Sequence, residues 1–115
     1  MELLCETLKI GTANYFDYFC GMNTTHNFNP ILSNLGISAL NEMQEVSHDA
    51  IINENNVLLL SPTGSGKTLA FLLPLFELLQ PEILSVQCLI LVPSRELGLQ
   101  IEQVWKKMGT GYKVN

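Results

Sequence analysis

The chain has 115 residues, 47% of them hydrophobic, which is enough for one domain, or part of one, with a buried core. Its formal net charge of -5 excludes a general attraction to nucleic acid or to an anionic membrane, so any polyanion must be bound by local groups. The three cysteines have no metal-type spacing, the start has no basic leader, and no apolar run is long enough to span a membrane. These features predict a cytoplasmic protein with reduced thiols and no membrane partner.

The first part of the chain has the weakest pattern. Residues 1–27 are rich in Asn, Thr, Tyr and Phe without a clean period, and they predict an irregular lead-in. A short helix is predicted over 29–35, because Pro30 suits a first helical turn and Gly36 suits a left-handed helix stop. We therefore expect the folded domain to occupy residues 28–115.

A second helix and a strand are predicted next. Asn41 has a side chain that can cap a helix running to about Asn53. One face of this helix carries Met43, Val46 and Ala50. The run NNVLLL, residues 55–60, is too short and too abruptly bounded for a helix, so it predicts a buried strand.

Helices and strands continue to alternate in the second half. An apolar helix is predicted over about 69–79, with Pro74 kinking it and Pro81 helping to end it. VQCLILV, residues 86–92, predicts a second buried strand, and a third strand is predicted to start within 109–115. The helix between these strands has an apolar stripe of Leu97, Ile101, Val104, Trp105 and Met108. The alternation predicts an α/β fold with a parallel sheet and flanking helices.

Eight residues between the first strand and the apolar helix have the spacing of a phosphate-binding P-loop. They are Ser61, Pro62, Thr63, Gly64, Ser65, Gly66, Lys67 and Thr68, with serine where the usual pattern has its first glycine. The two glycines let consecutive backbone N–H groups point into one concavity at a helix N-terminus. Lys67 then supplies charge for the β- and γ-phosphates of a nucleotide, and the Thr68 hydroxyl is placed to ligate Mg²⁺.

Two further stretches, GISALNEMQ at 36–44 and PSRELGLQ at 93–100, flank the P-loop in the chain. Together with SPTGSGKT at 61–68, they resemble the Q motif, motif I and motif Ia (93–97) of the DEAD-box ATP-dependent RNA helicases, in the same order. The resemblance covers roughly residues 19–115. It implies a RecA-like first helicase domain, with ATP and Mg²⁺ as cofactors and RNA as the partner.

Gln44 has two interpretations. Asn41-x-x-Gln44 satisfies the capping-box pattern, in which the glutamine returns a hydrogen bond to the cap residue. The resemblance instead implies that Gln44 forms paired hydrogen bonds to adenine and selects ATP over GTP, and the P-loop downstream favours this role. The family pattern usually has Pro and Thr where this chain has Leu40 and Asn41.

The resemblance also implies contacts to the base and to RNA. In the family, an aromatic residue seventeen positions before the Q-motif glycine stacks its ring on adenine, and this position is Phe19 here. That Phe19 is instead an aromatic residue of the core is an equal alternative. In motif Ia, Pro93, Ser94 and Arg95 are implied to hold the RNA backbone without reading bases. Taken without the other motifs, Ser94 and Arg95 would form an ordinary helix start.

Hydrolysis needs more than the P-loop. An acid that holds Mg²⁺ through water, a group that orients the attacking water, and arginines for the developing charge are also required. The family supplies them from D-E-A-D and later motifs, which this sequence lacks. We therefore expect the chain to be an amino-terminal fragment of a helicase, with Lys67 and Thr68 as catalytic residues. The fragment alone is expected to be inactive. The alternatives are a non-catalytic nucleotide- or partner-binding module and an unrelated P-loop ATPase. The oligomeric state cannot be predicted from the sequence.

Overall fold

The computed structural model describes residues 6–8 and 27–111. These residues form two strands and four helices. In chain order the elements are β1 (Glu6–Leu8), α1 (Asn29–Leu35), α2 (Glu42–Asn53), β2 (Val57–Leu59), α3 (Lys67–Leu78) and α4 (Arg95–Met108).

The boundaries of α1 and α2 follow the predicted signals. Pro30 lies in the first turn of α1, and Gly36 ends the helix with a φ of 70°, while its backbone N–H bonds to the carbonyls of Leu32 and Ser33. Asn41 is the N-cap of α2, in extended backbone conformation, and Asn53 is the last residue. The predictions of both helices are therefore confirmed.

Helix α3 lies at the centre of the core. It is buried from Leu69 to Leu75 with Pro74 inside the helix, as its apolar composition predicts. Helices α2 and α4 pack against it, and α1 packs against α4, where the Asn34 amide donates to the carbonyl of Met108 at 3.1 Å. The buried hydrophobic cluster is made of Ile31, Leu32, Ile51, Leu69, Phe71, Leu72, Leu73, Leu75, Ile101, Trp105 and Met108.

The inward face of α2 differs from the prediction. Val46 is 64% exposed, whereas Gln44, Ser47 and Ile51 are buried. The two polar side chains tolerate burial because both are hydrogen-bonded, Ser47 through a 2.6 Å bond from its hydroxyl to the carbonyl of Met43. Of the predicted apolar face, Met43 and Ala50 are half-buried and Val46 lies in solvent, because the helix turns a bonded polar stripe towards α3.

The sheet also differs from the prediction. Strand β2 pairs antiparallel with β1, with Thr7 opposite Leu58, so part of the lead-in expected to be irregular is a strand. Leu58 in β2 and Leu60 just after it are each more than half exposed, so the run 55–60 is not the buried strand that was predicted. A parallel sheet is not formed among residues 6–8 and 27–111, because the strand that pairs with β2 there runs in the opposite direction.

The predicted second strand is not formed. Residues 86–92 have no regular secondary structure, and side chains expected inside a sheet lie in solvent: Val86 is 87% exposed, Leu89 71% and Leu91 83%. An extended segment needs a neighbouring strand for its N–H and C=O groups, and no described strand pairs with this one. The strand predicted within 109–115 is not seen at 109–111, and residues 112–115 lie outside the described residues.

Candidate functional site

The segment 61–68 connects β2 to α3, as predicted, and its glycines have the backbone angles that the loop requires. Gly64 has a φ of 82° and Gly66 a φ of 91°, and Gly66 is the N-cap of α3. Both angles lie in the left-handed region that side chains disfavour. The loop therefore ends by turning directly into a helix N-terminus.

Lys67 folds back over the loop that precedes it. Its ammonium donates two hydrogen bonds of 2.8 Å, to the carbonyls of Ser61 and Pro62. Both acceptors belong to the loop itself, so the charge lies over the segment 61–68 and not on the outer surface of α3. Thr68 follows as the second residue of α3 and is half-buried.

The unusual serine at the start of the loop is part of its structure. Ser61 is buried, and its hydroxyl is hydrogen-bonded to the hydroxyl of Ser65. The Ser65 N–H donates to the carbonyl of Pro62 at 3.3 Å, closing a turn that exposes Pro62, Thr63 and Gly64. A side chain is accommodated at this position because its polar atom has a partner within the loop.

Gln44 forms the predicted capping box and also contacts the loop. Its Oε1 accepts from the Asn41 N–H at 3.0 Å, and its own N–H donates to Asn41 Oδ1 at 2.9 Å. The side-chain Nε2 donates to the carbonyl of Gly66 at 3.2 Å. Gln44 is only 6% exposed, so the cap of α2 and the P-loop meet at a buried amide.

Asn41 makes a second connection, which the sequence analysis missed. Its Nδ2 donates to the carbonyl of Ser65 at 3.1 Å, while its Oδ1 caps the helix. The signal was available in the residue type, because an asparagine amide has donors as well as an acceptor. Chain separation concealed it, since nothing in the sequence pattern brings residue 41 beside residue 65.

The metal-binding capacity of the described residues is small. Within residues 6–8 and 27–111, no group of three or more His, Cys, Asp or Glu side chains can hold a metal ion. Glu77, one of the acids after Lys67, is instead bonded to His48 Nε2 at 2.8 Å, joining α2 to α3. Thr68 therefore offers one hydroxyl oxygen, a donor type that Mg²⁺ accepts alongside phosphate oxygens and water.

The segment 93–97 begins α4. Ser94 is the N-cap, and its hydroxyl accepts from the Leu97 N–H at 3.2 Å; Pro93, Ser94 and Arg95 are all exposed. No hydrogen bond links these three residues to the P-loop in the described part of the chain. The helix start is thus confirmed, and the RNA contact remains a prediction. The predicted adenine-stacking residue, Phe19, lies outside the described residues.

One of the three cysteines, Cys88, lies among the described residues. Burial raises the pKa of the Cys88 thiol above its usual range, so this cysteine stays protonated and weakly reactive near neutral pH. Cys5 and Cys20 lie outside the described residues. Where the structure describes the chain, it contains no helix with the length and apolar character needed to cross a membrane.

Comparison with known protein families assigns the chain. The model of the DEAD/DEAH box helicase family matches residues 41–115, which include the capping box, the P-loop and the segment 93–97. The chain belongs to the DEAD/DEAH box helicase family. Membership implies a RecA-like fold for the domain that contains the described helices and loop.

Curated relatives agree with this assignment. The chain is 39% identical over 80 residues to the DEAD-box ATP-dependent RNA helicase CshC of Bacillus cereus, covering 70% of this chain and 21% of the relative. It is 39% identical over 80 residues to the ATP-dependent RNA helicase DHH1 of Gibberella zeae, covering 70% of this chain and 15% of that protein. The probable ATP-dependent RNA helicase YfmL of Bacillus subtilis is 48% identical over 67 residues, 56% of this chain and 18% of YfmL.

The aligned region is thus about a fifth, or less, of the length of these relatives. No solved structure matches the chain significantly.

Proposed function

We propose that this chain is the nucleotide-binding portion of a DEAD-box ATP-dependent RNA helicase. The observation that carries the proposal is the segment 61–68, in which Lys67 lies over the loop and two amides from the start of α2 hold the loop carbonyls. In the proposed complete enzyme, ATP hydrolysis drives changes in RNA structure, and this chain supplies contacts to ATP and part of the RNA backbone.

The P-loop is proposed to bind the β- and γ-phosphates. The Lys67 ammonium exchanges its bonds to the carbonyls of Ser61 and Pro62 for stronger bonds to phosphate oxygens, because the new acceptors carry charge. Thr68 is proposed to hold Mg²⁺ through its hydroxyl, and the ion would screen the phosphate charge when bound. Both residues are the proposed catalytic contributions of this chain.

Gln44 is proposed to contact adenine without abandoning the capping box. A primary amide has two N–H donors and an oxygen with two lone pairs. The structure uses one donor for Gly66 and one lone pair for Asn41. The second donor and the second lone pair form the donor–acceptor pair that adenine recognition needs. Phe19 is the proposed stacking residue.

The start of α4 is proposed to hold the RNA backbone. Ser94 uses its hydroxyl oxygen to cap the helix, which leaves the hydroxyl hydrogen to donate to a phosphate. Arg95 is exposed in the first turn, where its guanidinium can reach the same group, and Pro93 shapes the approach. With a net charge of -5, the chain depends on such local contacts for binding RNA.

The family fold and the exposed apolar side chains support a further proposal about the sheet. We propose that β2 and residues 86–92 belong to a parallel RecA-like sheet in the complete domain, because Leu89 and Leu91 have the burial-prone character of sheet residues yet lie in solvent here. We also propose that the protein acts in the cytoplasm, on the basis of the sequence features described above.

The proposed function is tested with the full-length protein and single-stranded or duplex RNA. RNA is expected to stimulate ATP hydrolysis, and Arg95→Ala is expected to raise the RNA concentration for half-maximal stimulation about 10- to 100-fold, the value of one charged hydrogen bond. Lys107→Ala is the matched control, because Lys107 is an exposed cation in the last turn of the same helix. ATP binding with no hydrolysis at any RNA concentration would contradict the helicase and favour a non-catalytic nucleotide-binding module.

A further inference from the structure

Two consecutive carbonyls of the P-loop are held by the same helix cap. Asn41 Nδ2 donates to the carbonyl of Ser65 at 3.1 Å, and Gln44 Nε2 donates to the carbonyl of Gly66 at 3.2 Å. The two residues are also joined by the capping box, in which the side-chain oxygen of each accepts from the backbone N–H of the other. The P-loop backbone is therefore fixed from outside, by side chains of α2.

Peptide geometry gives this arrangement a consequence for anions. In a planar trans peptide the N–H points away from the C=O. The Ser65 carbonyl faces Asn41, so the N–H of Gly66, which belongs to the same peptide, points away from Asn41. The Gly66 carbonyl faces Gln44, so the N–H of Lys67 points away from Gln44. Consecutive N–H groups that face one side form an anion-binding concavity. The two amides thus orient the donors that phosphate needs.

The two bonds are not equivalent. The carbonyl of Gly66 also accepts from the Ala70 N–H at 3.2 Å, as part of the first turn of α3. This peptide keeps a partner if Gln44 is lost. Asn41 is the one donor to the Ser65 carbonyl within the described residues. Its loss would therefore release the peptide that carries the Gly66 N–H.

We propose that Asn41 is a positioning residue for phosphate binding, acting through the Ser65 carbonyl. The inference rests on the proposed nucleotide site and assigns to the cap residue a task beyond capping. An amide divides the two tasks between two atoms, with Oδ1 accepting from the helix and Nδ2 donating to the loop. A serine or threonine has a single side-chain oxygen, which keeps the cap by lying beside the Gln44 N–H, and no second polar atom then occupies the Nδ2 position 3.1 Å from the Ser65 carbonyl.

The test compares Asn41→Ser and Asn41→Thr with Asn53→Ser in the full-length protein. Asn53 is the matched control because its Nδ2 also donates to a backbone carbonyl of α2, that of Asp49 at 2.7 Å, but at the other end of the helix. Calorimetry with magnesium would measure the affinities for ATP, GTP and inorganic tripolyphosphate. The tripolyphosphate affinity measures phosphate binding by the P-loop alone, because this ligand has no base. The ratio of the ATP and GTP affinities measures base recognition.

Both Asn41 variants are expected to bind all three ligands about 3- to 10-fold more weakly, the range for one lost hydrogen bond, with an unchanged ATP-to-GTP ratio. Asn53→Ser should bind them like the wild type. Unchanged tripolyphosphate affinity in both Asn41 variants, with wild-type binding intact, would overturn the inference and leave the nucleotide site standing. If the wild type binds neither ATP nor tripolyphosphate, the proposed function fails and the inference fails with it.

Discussion

Replacing Gly66 by alanine tests the contact between the helix cap and the P-loop. A Cβ built at Gly66 would lie 2.5 Å from Gln44 Nε2, well inside contact distance. The clashing atom is the far end of a side chain, so the Gln44 amide would rotate away and lose its bond to the Gly66 carbonyl. The substitution therefore perturbs the interface between α2 and the loop, in addition to the backbone.

The magnitude follows from two contributions. Alanine at a φ of 91° adds about 1–2 kcal/mol of left-handed strain to the folded state. Displacing Gln44, which is 6% exposed, leaves a buried amide without its partner and costs about 1–3 kcal/mol more. Gly64→Ala is the matched control, since Gly64 has a φ of 82° and a Cβ there would meet nothing within 4 Å. Only the first contribution applies to it.

The free energy of unfolding is measured by urea titration, at sub-micromolar concentration, of the 115-residue chain. The fluorescence of Trp105, the only tryptophan and a buried one, reports the transition. Gly66→Ala should be less stable than Gly64→Ala by about 1–3 kcal/mol, and in a Gln44→Ala background the cost of Gly66→Ala should fall to that of Gly64→Ala. Equal stabilities of the two alanine variants, or no relief by Gln44→Ala, would refute the reasoning.

Three further predictions follow from the same structure. Gln44→Glu keeps an acceptor for the cap but cannot donate, so competition binding should show a smaller preference for ATP over GTP; a full preference would leave Gln44 as a cap only. Leu72→Ala should destabilise the chain by about 2–5 kcal/mol, because Leu72 is 1% exposed, and a loss as small as that of an exposed leucine would contradict this core position. The 115-residue chain should self-associate in light scattering through the apolar side chains around Leu91, which is 83% exposed, so Leu91→Lys should reduce self-association and Leu99→Lys on α4 should not. A wild-type chain that stays monomeric would contradict this prediction.

Local signals predicted the helices well. Gly36, Asn41 and Ser94 have side chains or backbone preferences that act within a few residues, and each lies at the helix end where the sequence placed it. The apolar α3 is buried and the stripe of α4 faces the core, since both patterns depend on one helix at a time. These features need no knowledge of distant partners.

The strands and the finer contacts of the site could not be predicted in the same way. A strand requires a partner strand, and the sequence of the apolar run 86–92 does not indicate which segment would pair with it. The partner of β2 is residues 6–8, which have no strand pattern of their own. Likewise, the P-loop spacing predicted the positions of Lys67 and Gly66, but the bonds from Asn41 and Gln44 depend on how α2 packs beside the loop. Both failures concern residues brought together from distant parts of the chain.

The central claim is that segment 61–68 binds the phosphates of ATP through Lys67, and equilibrium binding of ATP to the full-length protein tests it most directly. Lys67→Ala removes the ammonium that now bonds to Ser61 and Pro62, so affinity should fall about 10- to 100-fold, the value of a charged hydrogen bond. Lys106→Ala, which removes an exposed lysine paired with Glu102, should bind ATP like the wild type. Equal ATP affinity in the two variants would contradict the claim.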